Sequence, residues 1–178
     1  ASFLPLHYAC LSENVDTSVI EFLIQKYPDA VKRTNARHQT ALHLVCGDGL
    51  SGRRRRAGMQ FHCCHHGGTQ TTLLDVVKLL LRHYPTATQL ADSEGFTPLH
   101  QTIRGHAHDE DDGTYSARLR VDVLKLLLKQ CQGLATRTRD WQSPLHLAAA
   151  HFCDNVDVVR LVYEYDPQAA QSTDDRFC

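Results

Sequence analysis

The sequence predicts an all-α fold, a solenoid of stacked helix-turn-helix units joined by turns. Three observations predict it. A short phrase recurs four times, an apolar run follows each copy, and one period governs both once two insertions are set aside. A repeat of this kind is a unit that buries its apolar face by stacking on neighbours, not alone.

The phrases are Leu4-Pro5-Leu6-His7-Tyr8-Ala9-Cys10, Thr40-Ala41-Leu42-His43-Leu44-Val45-Cys46, Thr97-Pro98-Leu99-His100-Gln101-Thr102-Ile103 and Ser143-Pro144-Leu145-His146-Leu147-Ala148-Ala149. Proline is tolerated in the first turn of a helix, where its missing N–H has no partner to lose. Thr40, Thr97 and Ser143 stand just before it, as N-cap residues do. Each phrase therefore reads as the start of a short helix.

The second element is an apolar run, as in Val19-Ile20-Glu21-Phe22-Leu23-Ile24 or Val76-Val77-Lys78-Leu79-Leu80-Leu81. Phe22, Leu79, Leu126 and Leu161 hold equivalent places, and each run reads as a helix largely buried between neighbours. The phrase histidines are spaced by 36, 57 and 46 residues, and from each to its equivalent apolar place the counts are 15, 36, 26 and 15. The two middle repeats thus carry insertions of 21 and 11 residues between their helices, and without them the spacings become 36, 36 and 35.

The runs end at Tyr27-Pro28, Tyr84-Pro85 and Asp166-Pro167, where proline stops the helix; Gly133 serves in the third repeat. Turn-prone stretches follow: Asn35-Ala36-Arg37-His38, Asp92-Ser93-Glu94-Gly95, Thr138-Arg139-Asp140-Trp141 and Asp174-Asp175-Arg176-Phe177. Asn or Asp at the first place suits a tight turn. The chain reads as a single domain over 1–178. Its repeats cover 1–34, 35–91 with an insertion near 48–70, 92–137 with an insertion near 106–118, and 138–173, and a partial fifth repeat covers 174–178. It enters on a repeat without a starting Met and is read as an excerpt of a longer protein.

Turn, phrase helix, longer helix and turn again, at constant period, resembles the ankyrin repeat, whose signature is Thr-Pro-Leu-His-x-Ala. The resemblance covers nearly everything outside the insertions. It implies that each phrase His and the Thr or Ser three before it hold turn to helix by hydrogen bonds. It also implies that partner contacts come from turn tips and the exposed side of the phrase helices, which here are Arg37, Gln39, Ser93, Glu94, Phe96, Arg139, Asp140, Trp141 and Gln142. The family repeat runs ~33 residues, so this one is longer. His38, Trp141 and Phe177 stand where the family prefers Gly, so a different turn shape is expected there.

Of the residues, 42% are apolar and 22% charged, with a net charge of −1. That balance supplies no global basic field for nucleic acid. Charged residues interrupt every apolar run before it reaches the length a bilayer needs. Seven cysteines, an odd number without regular spacing, make a poor disulfide framework and point to a reducing, intracellular site, whether cytoplasm or nucleus.

Four equivalent histidines, one per repeat, cannot form one active site, and no enzyme activity, cofactor or metal is expected. Gly47-Asp48-Gly49-Leu50-Ser51-Gly52 matches a dinucleotide fingerprint, but it follows a helix where that motif needs a strand, and reads as a linker. His62-Cys63-Cys64-His65-His66 holds zinc-type ligands too crowded for one tetrahedral ion. Arg53 to Arg56 and Asp109 to Asp112 read as solvated loops of opposite charge that attract each other loosely. The function expected is a protein-binding scaffold, a monomer with another protein as its partner. The alternatives are a metal- or nucleic-acid-binding module acting through residues 53–66, or the targeting arm of a larger enzyme.

Overall fold

A computed structural model describes residues 3–12, 16–49, 73–104, 115–131, 138, 142–152 and 155–173. Its helices are α1 (Pro5–Cys10), α2 (Thr17–Lys26), α3 (Ala41–Leu44), α4 (Leu73–His83), α5 (Pro98–Arg104), α6 (Tyr115–Gln130), α7 (Pro144–His151) and α8 (Val156–Tyr165). The described residues contain no strand.

Helices pair within a repeat, α1 with α2, α5 with α6 and α7 with α8. They also stack between repeats in two rows: α1, α3, α5 and α7 in one, α2, α4, α6 and α8 in the other. The core runs continuously through the stack, through Leu6, Leu42 and Leu99 on the first row and Ile20, Val77 and Leu124 on the second. Burying one such side chain is worth roughly 1.5–3 kcal/mol. This is the all-α solenoid the repeat pattern predicts.

The short helices are capped as the phrases suggest. Pro5 and Pro144 open α1 and α7, and the Ser143 hydroxyl accepts from the His146 N–H at 3.3 Å. After Leu44 the chain does not leave the helix cleanly. Residues Val45–Gly49 continue it as one wide π turn, so the first half of the glycine stretch is helical backbone. Part of the second insertion is helical: α6 begins at Tyr115, inside the expected 106–118, and is longer than the other second helices.

Proline does stop the second helix, and it also starts something. Pro28–Lys32, Pro85–Gln89 and Pro167–Gln171 each form a 3-10 turn with proline at its first place. Ala30, Ala87 and Ala169 are buried in these turns, and their carbonyls accept from Arg33, Leu90 and Ser172 at 3.2, 3.3 and 3.2 Å. That explains the Tyr-Pro-x-Ala spacing: proline presets φ and the small side chain lets the turn lie against the stack.

The expectations for residues 53–66 and for the acidic stretch 109–112 lie outside the described residues, as does the fifth repeat's turn.

Candidate protein-binding surface

The turns between repeats are rigid because one side chain ties each together. Asn35 Oδ1 accepts from the Arg37 and Gln39 N–H groups at 2.8 and 3.0 Å, and Asp92 Oδ1 from Glu94 and Phe96 at 3.0 and 2.9 Å. Backbone pairs close the same loops: Asn35 N–H to the Gln39 carbonyl, Asp92 to Phe96 and Thr138 to Gln142. The Ser93 N–H donates to the Arg37 carbonyl at 2.9 Å, which joins successive tips. Gln39 bridges them too, donating to Asp92 Oδ2 at 3.4 Å.

The turn shape is the same at His38 and at Gly95. Both have positive φ, 58° and 83°. The expected difference in shape does not arise between these two, since the Asn35 and Asp92 bonds impose one path. His38 carries the steric cost of that path and Gly95 does not.

The phrase histidines are fasteners, buried at His7, His43 and His100 and half-buried at His146. The Thr40 N–H donates to His43 Nδ1 at 3.2 Å, so that nitrogen is unprotonated and Nε2 carries the hydrogen. Nε2 then donates to the carbonyls of Leu90 and Phe96, at 3.1 and 3.2 Å. His7 reaches the Arg33 carbonyl and His146 the Ser172 carbonyl in the same way, at 3.2 and 3.1 Å. Burial pushes the pKa of His7 and His43 down, partly offset at His7 by its bond to the Arg33 carbonyl and at His43 by the nearby Asp92 charge and its two carbonyl bonds. The Thr40 and Thr97 hydroxyls lie 2.9 and 2.8 Å from the Nδ1 of His43 and His100. No open nitrogen faces a cleft at His43, as a general base would need.

Burial raises the thiols of Cys10 and Cys46 to about 12 and also raises Cys131, so these three free cysteines are inert. Among the described residues no group of His, Cys, Asp and Glu is arranged to hold a metal ion.

A family model described as Ankyrin repeat matches residues 2–32, and another of the same description matches 140–170. The matched spans are the first and last repeats of the stack, and the two repeats between them carry the same phrase, fastener and turn. This is an ankyrin repeat chain. No curated protein matches it. Within the ankyrin array no helix among the described residues is long and apolar enough to cross a membrane.

The array presents the expected contact residues unevenly. Arg37, Ser93 and Glu94 are exposed on the tips, and Gln39 is half-buried between them. Phe96 is not a projecting side chain: it is 7% exposed. It occupies the last place of its turn, where its N–H is held by Asp92, and its ring stands edge-on to His100 with Arg104 4.8 Å above it. Gln142, at the equivalent place, is buried for the same reason. Arg139, Asp140 and Trp141 lie outside the described residues. Sequence reasoning missed Arg104, which covers the Phe96 ring and approaches Glu94 at 3.7 Å. Its signal was available: it stands four after the phrase His, where the other repeats have Leu11, Gly47 and Ala150.

Proposed function

We propose that this ankyrin array is a protein-protein interaction scaffold that binds another protein through its turn tips and concave helix face, without catalysis. The observation that carries the reading is the contrast at the turns. Their backbone is held by the same side-chain bonds, whereas the outward residues Arg37, Ser93 and Glu94 differ in charge and size. A rigid frame with variable exposed side chains loses little entropy on binding, which favours specific recognition. Cation and carboxylate alternate there, with Arg37, Glu94 and Arg104 in sequence along the surface, so the fitting partner surface is polar and mixed in sign. The buried free thiols support a reducing, intracellular setting.

Affinity capture with the chain and with an Arg37→Ala/Glu94→Ala variant tests this. A protein retained by the first and lost by the second supports the reading, provided both fold alike. Equal retention of every captured protein would overturn it.

A further inference from the structure

Helix α5 lies in the middle of its row, against α7 on one side and against α3 and its π turn on the other. Of its residues only Gln101 and Arg104 are not buried. They stand three apart, one turn along the helix, and so share a face. Both side chains are held in place.

The Gln101 amide nitrogen donates to Asp92 Oδ2 at 2.9 Å, the same oxygen that Gln39 approaches at 3.4 Å. A carboxylate only accepts, so the amide nitrogen must face it and Oε1 is turned the other way. There it lies over Gly47, where a Cβ would stand 3.3 Å from Oε1 and 3.7 Å from the Gln101 Cβ and Cδ. Glycine at 47 thus makes room for this amide, and a larger side chain would press on it.

The Arg104 guanidinium lies 4.8 Å above the Phe96 ring, and the ring is fixed in turn by the Asp92 bond to its backbone. A planar fork stacked on an aromatic face keeps its donors in one plane. One of its nitrogens meets Glu94, at 3.7 Å, which is longer than a hydrogen bond. The side chain is 41% exposed. Its register neighbours in the adjoining repeats are Gly47 and Ala150, both too small to cover it.

We propose that Gln101 and Arg104 are the specificity-determining pair of this face, and that they take an acidic side chain from an extended segment of the partner protein. The carboxylate sits on the Arg104 fork, and Gln101 Oε1 accepts an N–H of the same segment. This rests on the scaffold reading above and names the charge that the partner brings to the centre of the row. Glu94 sets the limit on that charge. One cation beside one carboxylate suits a single negative group, not the repeated phosphates of a nucleic acid.

The probe is a randomised peptide display library selected on the 178-residue chain, with affinities then read by fluorescence anisotropy. The selected peptides are expected to share an Asp or Glu at one place, and alanine there should weaken binding about tenfold or more. Arg104→Met keeps an unbranched chain over Phe96 and drops the charge. It should weaken the parent peptides by a similar factor, leave their alanine versions unchanged and melt near the wild-type temperature. Should it unfold, Arg104→Lys takes its place, and loss of the fork should still weaken the parent peptides alone. Selection on Arg104→Glu should return peptides with Lys or Arg at the shared place. Binders without a shared acidic place, or indifferent to Arg104→Met, overturn the proposal. The scaffold reading survives that result if Arg37→Ala/Glu94→Ala still releases them. A library that yields no binder also overturns the proposal, and leaves the scaffold reading to the capture experiment. Binding that emerges only when Asp109, Glu110, Asp111 and Asp112 are replaced by their amides overturns it too, and assigns Arg104 to the chain's own acidic stretch.

Discussion

The His43 imidazole reaches out of its own repeat to donate to the Leu90 carbonyl, 3.1 Å away, while its other ring nitrogen accepts from the Thr40 N–H. This neutral tautomer is the only one that satisfies both neighbours. Protonation would put a second hydrogen opposite an N–H donor in a buried site.

Stability should therefore depend on pH through His7 and His43. Their folded pKa values lie below the ordinary 6.5, chiefly through burial. The unfolded chain then binds more protons below that pH, so stability is full above 6.5 and falls as pH drops through it. Urea midpoints measured from neutral to mildly acidic pH should fall on acidification. His43→Gln should flatten part of that slope and cost about 1–3 kcal/mol at neutral pH, from buried carbonyls left unpaired.

Leu99 and Leu145 stand at equivalent places with unequal burial. Leu99→Ala should cost roughly 2–5 kcal/mol, since it opens a cavity in the packed centre of the stack. Leu145→Ala should cost less, because that side chain is only partly buried against the core. Chemical denaturation of the two variants measures the difference. Equal losses would mean that the end of the stack is covered.

His38→Gly should stabilise the chain. The positive φ of 58° costs a non-glycine residue about 1–2 kcal/mol, and the extra freedom of glycine when unfolded offsets part of that gain. A net rise of up to about 1 kcal/mol, read as a higher melting temperature, is expected. The exposed imidazole has no hydrogen bond of its own among those described, so little is lost.

Phe96→Ala and Glu94→Ala separate frame from surface. The first removes a buried ring that packs beside His100 and under Arg104, and should destabilise by about 3 kcal/mol or more. The second removes an exposed carboxylate whose ion pair with Arg104 is worth at most about 1 kcal/mol. Thermal unfolding of both, set beside partner capture, should show stability loss in the first and binding loss in the second.

The stack was legible in the sequence because every repeat obeys the same local rules. Proline at the first helical place, Thr or Ser before it, Asn or Asp opening the turn and a period near 36 each carry meaning within a few residues. Even the fastening histidine follows from a motif, since its Nδ1 partner lies only three residues away. The insertions' boundaries were less legible: Tyr115 could open a helix early because nothing in a charged stretch forbids it.

What the sequence by itself determined is thus the unit and its register. Only the tertiary structure decided which side of each unit is wet. Phe96 reads as a projecting aromatic and is buried, whereas Phe22 reads as core and is more than half exposed. Local sequence sets where a side chain points relative to its own helix, but burial depends on whether another repeat occupies the space it points into. Val19 and Val76 are the same residue in the same register, and they differ in exposure because α2 lies behind only one of them.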